Sequence, residues 1–195
     1  WVRPRNTVTD EVRAWGAPIP DFDQEINMPK VAKMVRKNQD GILIVDRTVH
    51  GEYENYRTSE QAIPKERSEN PWESCITLGG AWGFVPNDNF KPSATVIHTL
   101  IEIVAKGGNL LLGVGPTAEG EFLPEQISRL NEIGIWLDKF GEAIYGTRSI
   151  ENFQSGDVYF TKSKEKYAFA IQKITSDDYL KEMITWQGNS PKKGT

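Results

Sequence analysis

The chain has 195 residues, of which 38% are hydrophobic, enough for one sizeable core and part of a second. Its 23 basic and 27 acidic side chains leave a net charge of −4, without the basic excess of nucleic-acid or anionic-membrane binders. The single cysteine, Cys75, excludes an internal disulfide and a cysteine-based zinc site. No apolar run approaches the roughly 20 residues of a membrane-spanning helix, so we expect no membrane span. From the charge balance we expect no nucleic-acid partner.

The first regular elements are expected after an irregular, proline-punctuated N-terminal stretch. A helix is predicted to begin after Asn27 as N-cap, to carry Pro29 in its first turn and to end at residues 38–40. The continuous apolar run 41–47 then predicts a strand that is buried on both faces.

A long polar loop with several glutamates is predicted over residues 48–71. It leads into a short strand at 73–78 and then into a glycine-rich loop at 79–84. This arrangement places most of the polar chemistry after strands.

Helix, strand and helix follow in that order. Residues 93–106 carry an apolar stripe, residues 109–114 form a third buried strand, and residues 124–140 form a helix that begins at a proline. The residues of this last helix that are expected to face inward are Ile127, Leu130, Ile133, Leu137 and Phe140.

The alternation of strand, loop and helix predicts an α/β fold with a parallel sheet, and long loops after strands are typical of barrels. The pattern changes near residue 148, where segments 157–160 and 166–172 predict an antiparallel hairpin with one wet face. We therefore predict part of a (β/α)8-like, TIM-type catalytic barrel over residues 1–147 and the start of an all-β domain over 148–195.

Carboxylates and aromatic rings on loops are the best candidates for chemistry. Asp46 and Arg47 end the first predicted strand, residues 51–60 interleave tyrosines with glutamates, and Trp82 stands among glycines. Carboxyl groups transfer protons and aromatic rings pack on sugars, so these residue types suit a carbohydrate site. Each also has a structural interpretation: a solvated acid, a salt bridge between Asp46 and Arg47, or an indole that plugs a barrel.

Other catalytic classes have little support in the sequence. His98 lies off the apolar stripe of its helix and His50 lies in a polar loop, a poor basis for a metal site. Cys75 lies in an apolar strand and is expected to be a buried, inert thiol. Pro116 interrupts the glycine pattern at 113–115 that a dinucleotide loop would continue. We predict no cofactor and no metal.

Several segments, in order along the chain, resemble the α-L-fucosidases of glycoside hydrolase family 29. They are residues 45–47 with 56–60, residues 71–75 with 81–84, residues 106–116 and residues 141–148. The family combines a (β/α)8-like barrel with a C-terminal β-sandwich. The resemblance therefore implies the second half of the barrel, followed by the first strands of an antiparallel β-sandwich.

The resemblance also implies an activity and its residues. A retaining exo-α-L-fucosidase removes terminal fucose from a fucosylated glycan by double displacement, using two carboxyl groups. Glu60 matches the general acid/base, with Glu54 as a fallback and Glu52 as a weaker alternative. The substrate-binding residues that the resemblance implies are Trp1, Arg47 and Trp82.

By the same resemblance, the nucleophilic aspartate and the fucose-binding histidines precede Trp1. We therefore expect a piece of a longer protein that is inactive by itself, from an enzyme that acts in the periplasm, outside the cell or in lysosomes. Gly113 departs from the family, which often has asparagine there. The alternatives are a non-catalytic carbohydrate-binding protein on a degenerate barrel and a related glycosidase for another sugar.

Overall fold

The computed structural model describes residues 27–45, 52–163 and 168–172. The chain divides into two compact units, Trp1–Thr58 and Ser59–Thr195. Within the described ranges no helix is long and apolar enough to cross a membrane. The helices are α1 (Met28–Asn38), α2 (Ser93–Ala105) and α3 (Pro124–Phe140), with a 3-10 turn at Gly141–Ala143. The strands are β1 (Arg57–Glu60), β2 (Trp72–Thr77), β3 (Gly108–Gly113), β4 (Arg148–Ser155), β5 (Val158–Lys162) and β6 (Ala168–Gln172).

Helix α1 begins and ends where its local signals predict. The Asn27 side chain accepts a hydrogen bond from the Lys30 N–H at 3.2 Å, which satisfies a free donor of the first turn. Arg36 and Lys37 lie in the last turn, where positive charge complements the helix dipole.

The strand predicted at 41–47 does not form over residues 41–45. Gly41 turns with φ 73°, Leu43 is 69% exposed, and only Val45 forms an isolated parallel bridge, to Tyr56. An apolar run becomes a buried strand only where neighbours cover it and supply hydrogen bonds along its length. Over 41–45 that one bridge supplies the pairing, so the prediction of a strand buried on both faces is wrong there.

The first sheet has the strand order β1-β2-β3. Strands β2 and β3 are parallel, in a register that runs from Trp72 opposite Gly108 to Thr77 opposite Gly113. The predicted parallel pairing is confirmed, and both strands lie within a residue of their predicted bounds. Strand β1 was not predicted: it lies inside residues 48–71, which were predicted to be a polar loop, so that prediction is wrong over the strand.

Helix α2 connects β2 to β3 and forms the centre of the hydrophobic core in the second unit. Its residues Val96, Ile97, Ile101 and Ala105 are buried, and the cluster includes Leu78, which directly follows β2. This confirms the predicted helix and its apolar stripe.

Helix α3 has the predicted bounds, but only part of its predicted inner face is covered. Ile133 is buried, whereas Ile127 and Phe140 are exposed, which corrects their predicted inward position. Leu111 on β3 is 50% exposed as well, because Leu110 and Leu112 pack against the core and strand alternation places Leu111 on the opposite face of the sheet. Full burial of that strand was therefore the wrong expectation.

The second sheet has the antiparallel order β4-β5-β6. The hairpin of β5 and β6 is confirmed, while β4 was not predicted as a strand. Strand β5 is buried at four consecutive positions instead of alternately wet, because the sheet packs on α2. Ser149 donates to the Ala105 carbonyl and Thr161 to the Ala143 carbonyl at 2.8 Å, so hydrogen bonds cross residue 148. The domain boundary between 147 and 148 stays a prediction.

Candidate active site

The acidic segment at residues 52–55 belongs to the first unit and is tied to α1. Arg36 Nη2 donates to the Tyr53 carbonyl at 2.9 Å and to Asn55 Oδ1 at 3.3 Å. Asn55 Oδ1 also accepts the Ile44 N–H at 2.9 Å, and the Asn55 N–H donates to the Ile44 carbonyl at 2.7 Å. The segment is therefore held in place by the chain around it.

Two glutamates of this segment make specific contacts. The Tyr53 hydroxyl hydrogen-bonds Glu52, and this bond, then burial and the negative charge of Glu52, raise the pKa of Tyr53. Glu54 Oε1 accepts from Arg57 Nε at 3.1 Å, and the Glu54 side chain is only 12% exposed. A mostly buried carboxylate is stabilised by such a partner.

Glu60 is the last residue of β1, and it is exposed. The next residue, Gln61, has a left-handed backbone with φ 52°, which is uncommon outside glycine. Its N–H donates to the Cys75 carbonyl at 2.8 Å. Its side chain donates from Nε2 to Thr77 Oγ1 at 3.0 Å and accepts the Thr77 N–H on Oε1 at 3.4 Å. These bonds hold the backbone that carries Glu60 at the carboxyl end of β2.

The side chains of Asp88 and Lys91 hold the loop that follows β2 by hydrogen bonds to its backbone. Both Asp88 side-chain oxygens accept the Gly80 N–H at 3.0 Å. Lys91 Nζ donates to the Thr77 carbonyl at 2.6 Å and to the Gly79 carbonyl at 3.3 Å. A Cβ at Gly79 would collide with the Asp88 carboxylate, so a side chain there would have to displace this carboxylate from the Gly80 N–H. The loop displays residues 81–85 at the edge of the sheet.

Trp82 lies on this loop, and the residue is 45% exposed, as expected of a tryptophan displayed on a loop. The ring lies over Gly113, where a Cβ would be 3.0 Å from Trp82 Cε3 and Cζ3. Thr77 and Gly113 are partners in the register of β2 and β3. The Gln61 contacts and the Trp82 indole therefore lie at the carboxyl ends of neighbouring parallel strands, the edge that carries function in barrels.

The remaining candidates fall into two groups. Trp1, Asp46, Arg47 and His50 lie outside the described residues, and their roles stay predictions. Cys75 is buried, as expected of a structural thiol. Among the described residues, no group of three or more His, Cys, Asp or Glu side chains is arranged to hold a metal ion.

A family model described as Alpha-L-fucosidase matches residues 8–142. The chain belongs to the α-L-fucosidase family. The plasma alpha-L-fucosidase of Homo sapiens is 35% identical over 130 residues, which are 63% of this chain and 27% of that protein. The alpha-L-fucosidase of Dictyostelium discoideum is 29% identical over 145 residues, which are 72% of this chain and 32% of that protein.

Solved fucosidase structures resemble the chain as well. Alpha-L-fucosidase isoenzyme 1 from Paenibacillus thiaminolyticus superimposes with a TM-score of 0.66 at 30% identity, over 73% of this chain and 39% of that one. The Thermotoga maritima α-fucosidase in complex with fucose gives a TM-score of 0.61 at 27% identity, over 70% of this chain and 32% of that one. The chain thus spans about a third of the length of these fucosidases.

Three features of the candidate site were not predicted from the sequence. Nothing in the local pattern signals the left-handed backbone of Gln61 or its pairing with Thr77. The sequence marks Gly113 only as a departure from the family, and it does not predict the contact of Gly113 with Trp82. The signal that could have indicated this contact is a glycine at the end of one parallel strand together with an aromatic residue in the loop after the neighbouring strand.

Proposed function

We propose that the complete gene product is a retaining exo-α-L-fucosidase that hydrolyses terminal α-L-fucosyl residues. The observation that carries the proposal is the match of the α-L-fucosidase family model to residues 8–142. The solved relative that holds fucose supports the sugar. The parallel strands β2 and β3, with polar and aromatic residues at their carboxyl ends, support a (β/α)8-like barrel, and the sheet β4-β5-β6 supports the first strands of a sandwich.

The reaction requires two carboxyl groups about 5 to 5.5 Å apart on opposite sides of the glycosidic bond. An aspartate upstream of Trp1 attacks the anomeric carbon while Glu60 protonates the leaving oxygen, which releases the alcohol and leaves a glycosyl ester. Glu60 then removes a proton from water, the water oxygen attacks the anomeric carbon, and fucose leaves with the aspartate regenerated. By this scheme residues 1–195 alone lack the nucleophile and are inactive.

Glu60 is preferred over Glu54 as the proton donor on the basis of their surroundings. The exposed carboxyl group of Glu60 stands beside a hydrogen-bonded strand end, where a substrate oxygen can reach it. Glu54 is mostly buried, and Arg57 occupies one of its oxygens. A donor must be positioned and accessible to the leaving group, and Glu60 meets that requirement better.

Substrate binding is proposed for Trp82, Arg47 and Trp1. The indole of the half-exposed Trp82 offers a flat apolar surface to the face of fucose that carries the C6 methyl group. Arg47 would hydrogen-bond the sugar near the nucleophile, and Trp1 would complete the subsite. The proposed substrate is a fucosylated glycan, and the proposed location of the enzyme is outside the cytoplasm or in lysosomes.

Alanine variants of the two glutamates test the assignment in the complete gene product. We expect Glu60→Ala to lower kcat on an α-L-fucoside with a poor leaving group by about 10²- to 10⁴-fold, because proton donation is lost. Azide should restore part of the rate on an aryl fucoside with a good leaving group. Glu54→Ala should lower the melting temperature and keep kcat near that of the wild type.

Arg57→Ala is the matched control, because it breaks the ion pair and keeps the Glu54 carboxyl group. If Glu54 is structural, both variants lower the melting temperature and keep kcat near the wild-type value, and Arg57→Ala lowers the melting temperature at least as much, because the mostly buried Glu54 carboxylate loses the guanidinium. A wild-type rate for Glu60→Ala, with loss of activity in Glu54→Ala alone, would transfer the role to Glu54. A gene product that binds fucose but hydrolyses no fucoside would support the carbohydrate-binding alternative.

A further inference from the structure

Strand β3 ends at Gly113, and the Trp82 indole lies against this glycine. A Cβ at Gly113 would be 3.0 Å from both Cε3 and Cζ3 of the indole and 3.7 Å from the Ile76 carbonyl oxygen. Carbon atoms in van der Waals contact prefer about 3.5 to 4.0 Å. The six-membered part of the indole therefore occupies the space that a side chain at position 113 would need.

Hydrogen bonds hold the loop that carries Trp82 near the strand end: the Gly80 N–H donates to Asp88, and Lys91 Nζ donates to the Thr77 and Gly79 carbonyls. A Cβ at Gly115 would be 2.6 Å from the backbone carbonyl group of Gly83 and 2.9 Å from the Phe84 nitrogen, so the two backbones already touch. The Gly115 carbonyl is held by Gln126 Nε2 at 3.0 Å. We therefore expect crowding at position 113 to be relieved mainly by movement of the indole.

The indole is also the part of this loop with room to move. Trp82 is 45% exposed, and the outer face of its indole is the surface that the proposed function assigns to the sugar. A ring pushed away from the strand moves toward the substrate. Its displacement alters substrate contact, while the fold around it is kept by the buried core.

We propose that Gly113 is a specificity-determining residue of this site. Its missing side chain lets the six-membered ring of Trp82 lie against the end of β3, and we infer that this sets the depth of the apolar wall in the sugar subsite. The inference rests on the proposed function, because it takes Trp82 as a wall for a terminal 6-deoxy sugar. Gly113 acts through Trp82 and does not itself contact the sugar.

A double-mutant cycle in the complete gene product tests the inference. On an aryl α-L-fucoside, Gly113→Ala should raise KM by about tenfold, on the scale of one misplaced methyl group, and change kcat less. In a Trp82→Ala background, the same substitution should leave KM unchanged, because no ring remains to be displaced. A glycine that serves only the fold would instead show the same effect in both backgrounds.

A second measurement follows the indole without using activity. Acrylamide quenching of tryptophan fluorescence should rise in Gly113→Ala, and the rise should vanish when Trp82→Phe is present. Gly134→Ala is the matched control, because a Cβ there meets nothing within 4 Å, and both KM and quenching should stay at wild-type values.

The outcomes separate this inference from the proposed function. A wild-type protein that hydrolyses no fucoside overturns the proposed function and the inference with it. A wild-type protein that hydrolyses the fucoside, with unchanged KM and quenching in Gly113→Ala, overturns the inference alone. Equal KM effects with and without Trp82 overturn it too.

Discussion

At the residue scale, Gln61 combines an unfavourable backbone with a side chain that compensates for it. The left-handed region costs most residues about 1 kcal/mol or more, and glycine almost nothing. Gln61 keeps this conformation through its bonds to Thr77 and to the Cys75 carbonyl. Because Glu60 precedes it directly, the same bonds fix the end of the strand that presents the proposed acid/base.

Two substitutions separate the side-chain bonds of Gln61 from its backbone strain. Gln61→Ala keeps the strain and removes the bonds, so it should lower the free energy of unfolding by about 1–3 kcal/mol. Gln61→Gly removes both, so it should cost less than the alanine variant. Urea unfolding of the complete gene product measures both differences.

The control for this pair is Gln154→Ala, which removes an exposed hydrogen bond from Nε2 to the Gly156 carbonyl. It should change the free energy of unfolding by less than about 0.5 kcal/mol. A glycine variant less stable than the alanine variant would show that the left-handed backbone at Gln61 is not strained.

At the element scale, a carboxylate links helices α2 and α3. Glu132 on α3 accepts hydrogen bonds from Ser93 at the start of α2 and from Ser128 Oγ at 3.0 Å. The bond from Ser93 and then the bond from Ser128 hold the pKa of Glu132 below its ordinary value of 4.5; burial opposes them, and the charge of Arg129 adds a smaller lowering effect. The ionised form therefore favours the packed pair of helices.

This link predicts a pH dependence of stability. A lowered pKa in the folded state stabilises the protein above the unfolded pKa near 4.5, and the effect is lost as pH falls through the folded value. Ser93→Ala should therefore reduce the free energy of unfolding at pH 7 and have a smaller effect near pH 3. Denaturant titrations at the two pH values measure the difference.

Thr99→Ala on the same helix is the control, since its hydroxyl donates to the Thr95 carbonyl at 2.9 Å and contacts a neutral acceptor. Its effect should be the same at both pH values. An equal effect of Ser93→Ala at pH 7 and pH 3 would mean that Glu132 does not couple the helices through its charge.

At the scale of the whole second unit, Lys106 joins three parts of the chain. Its buried ammonium donates to Glu102 Oε1 at 2.8 Å and to the Pro64 carbonyl at 2.9 Å. Its own carbonyl accepts from Trp72 Nε1 and from the Ser68 N–H, both at 3.3 Å. The end of α2 is thereby connected to β2 and to the segment that follows Glu60.

Lys106→Met keeps the aliphatic stem and removes the charge. We expect it to lower the free energy of unfolding by about 2–4 kcal/mol, because the Glu102 carboxylate and the Pro64 carbonyl lose a buried donor. The exposed neighbour Lys65 provides the control, as Lys65→Met should stay within about 0.5 kcal/mol of the wild type. Equal melting temperatures for the two variants would show that the buried ammonium contributes no net stability.

The sequence by itself determined the features that depend on neighbouring residues or on ordered motifs. The cap at Asn27, the proline that opens α3, the glycines after α2 and α3 and a 3.6-residue apolar period predicted the bounds of the helices. Alternation of strand and helix predicted the parallel pairing of β2 and β3, and motifs in a fixed order predicted the family. Such signals are local, so they can be read without knowing what packs against them.

Only the tertiary structure decided which apolar residues are covered and which side chains meet. Leu43, Leu111 and Ile127 are as apolar as core residues, yet they are exposed, because burial depends on a partner surface built by distant parts of the chain. The same reason hid the pairing of Gln61 with Thr77, and the indole of Trp82 over Gly113. A contact between residues far apart in the chain depends on both of them and on the fold that joins them.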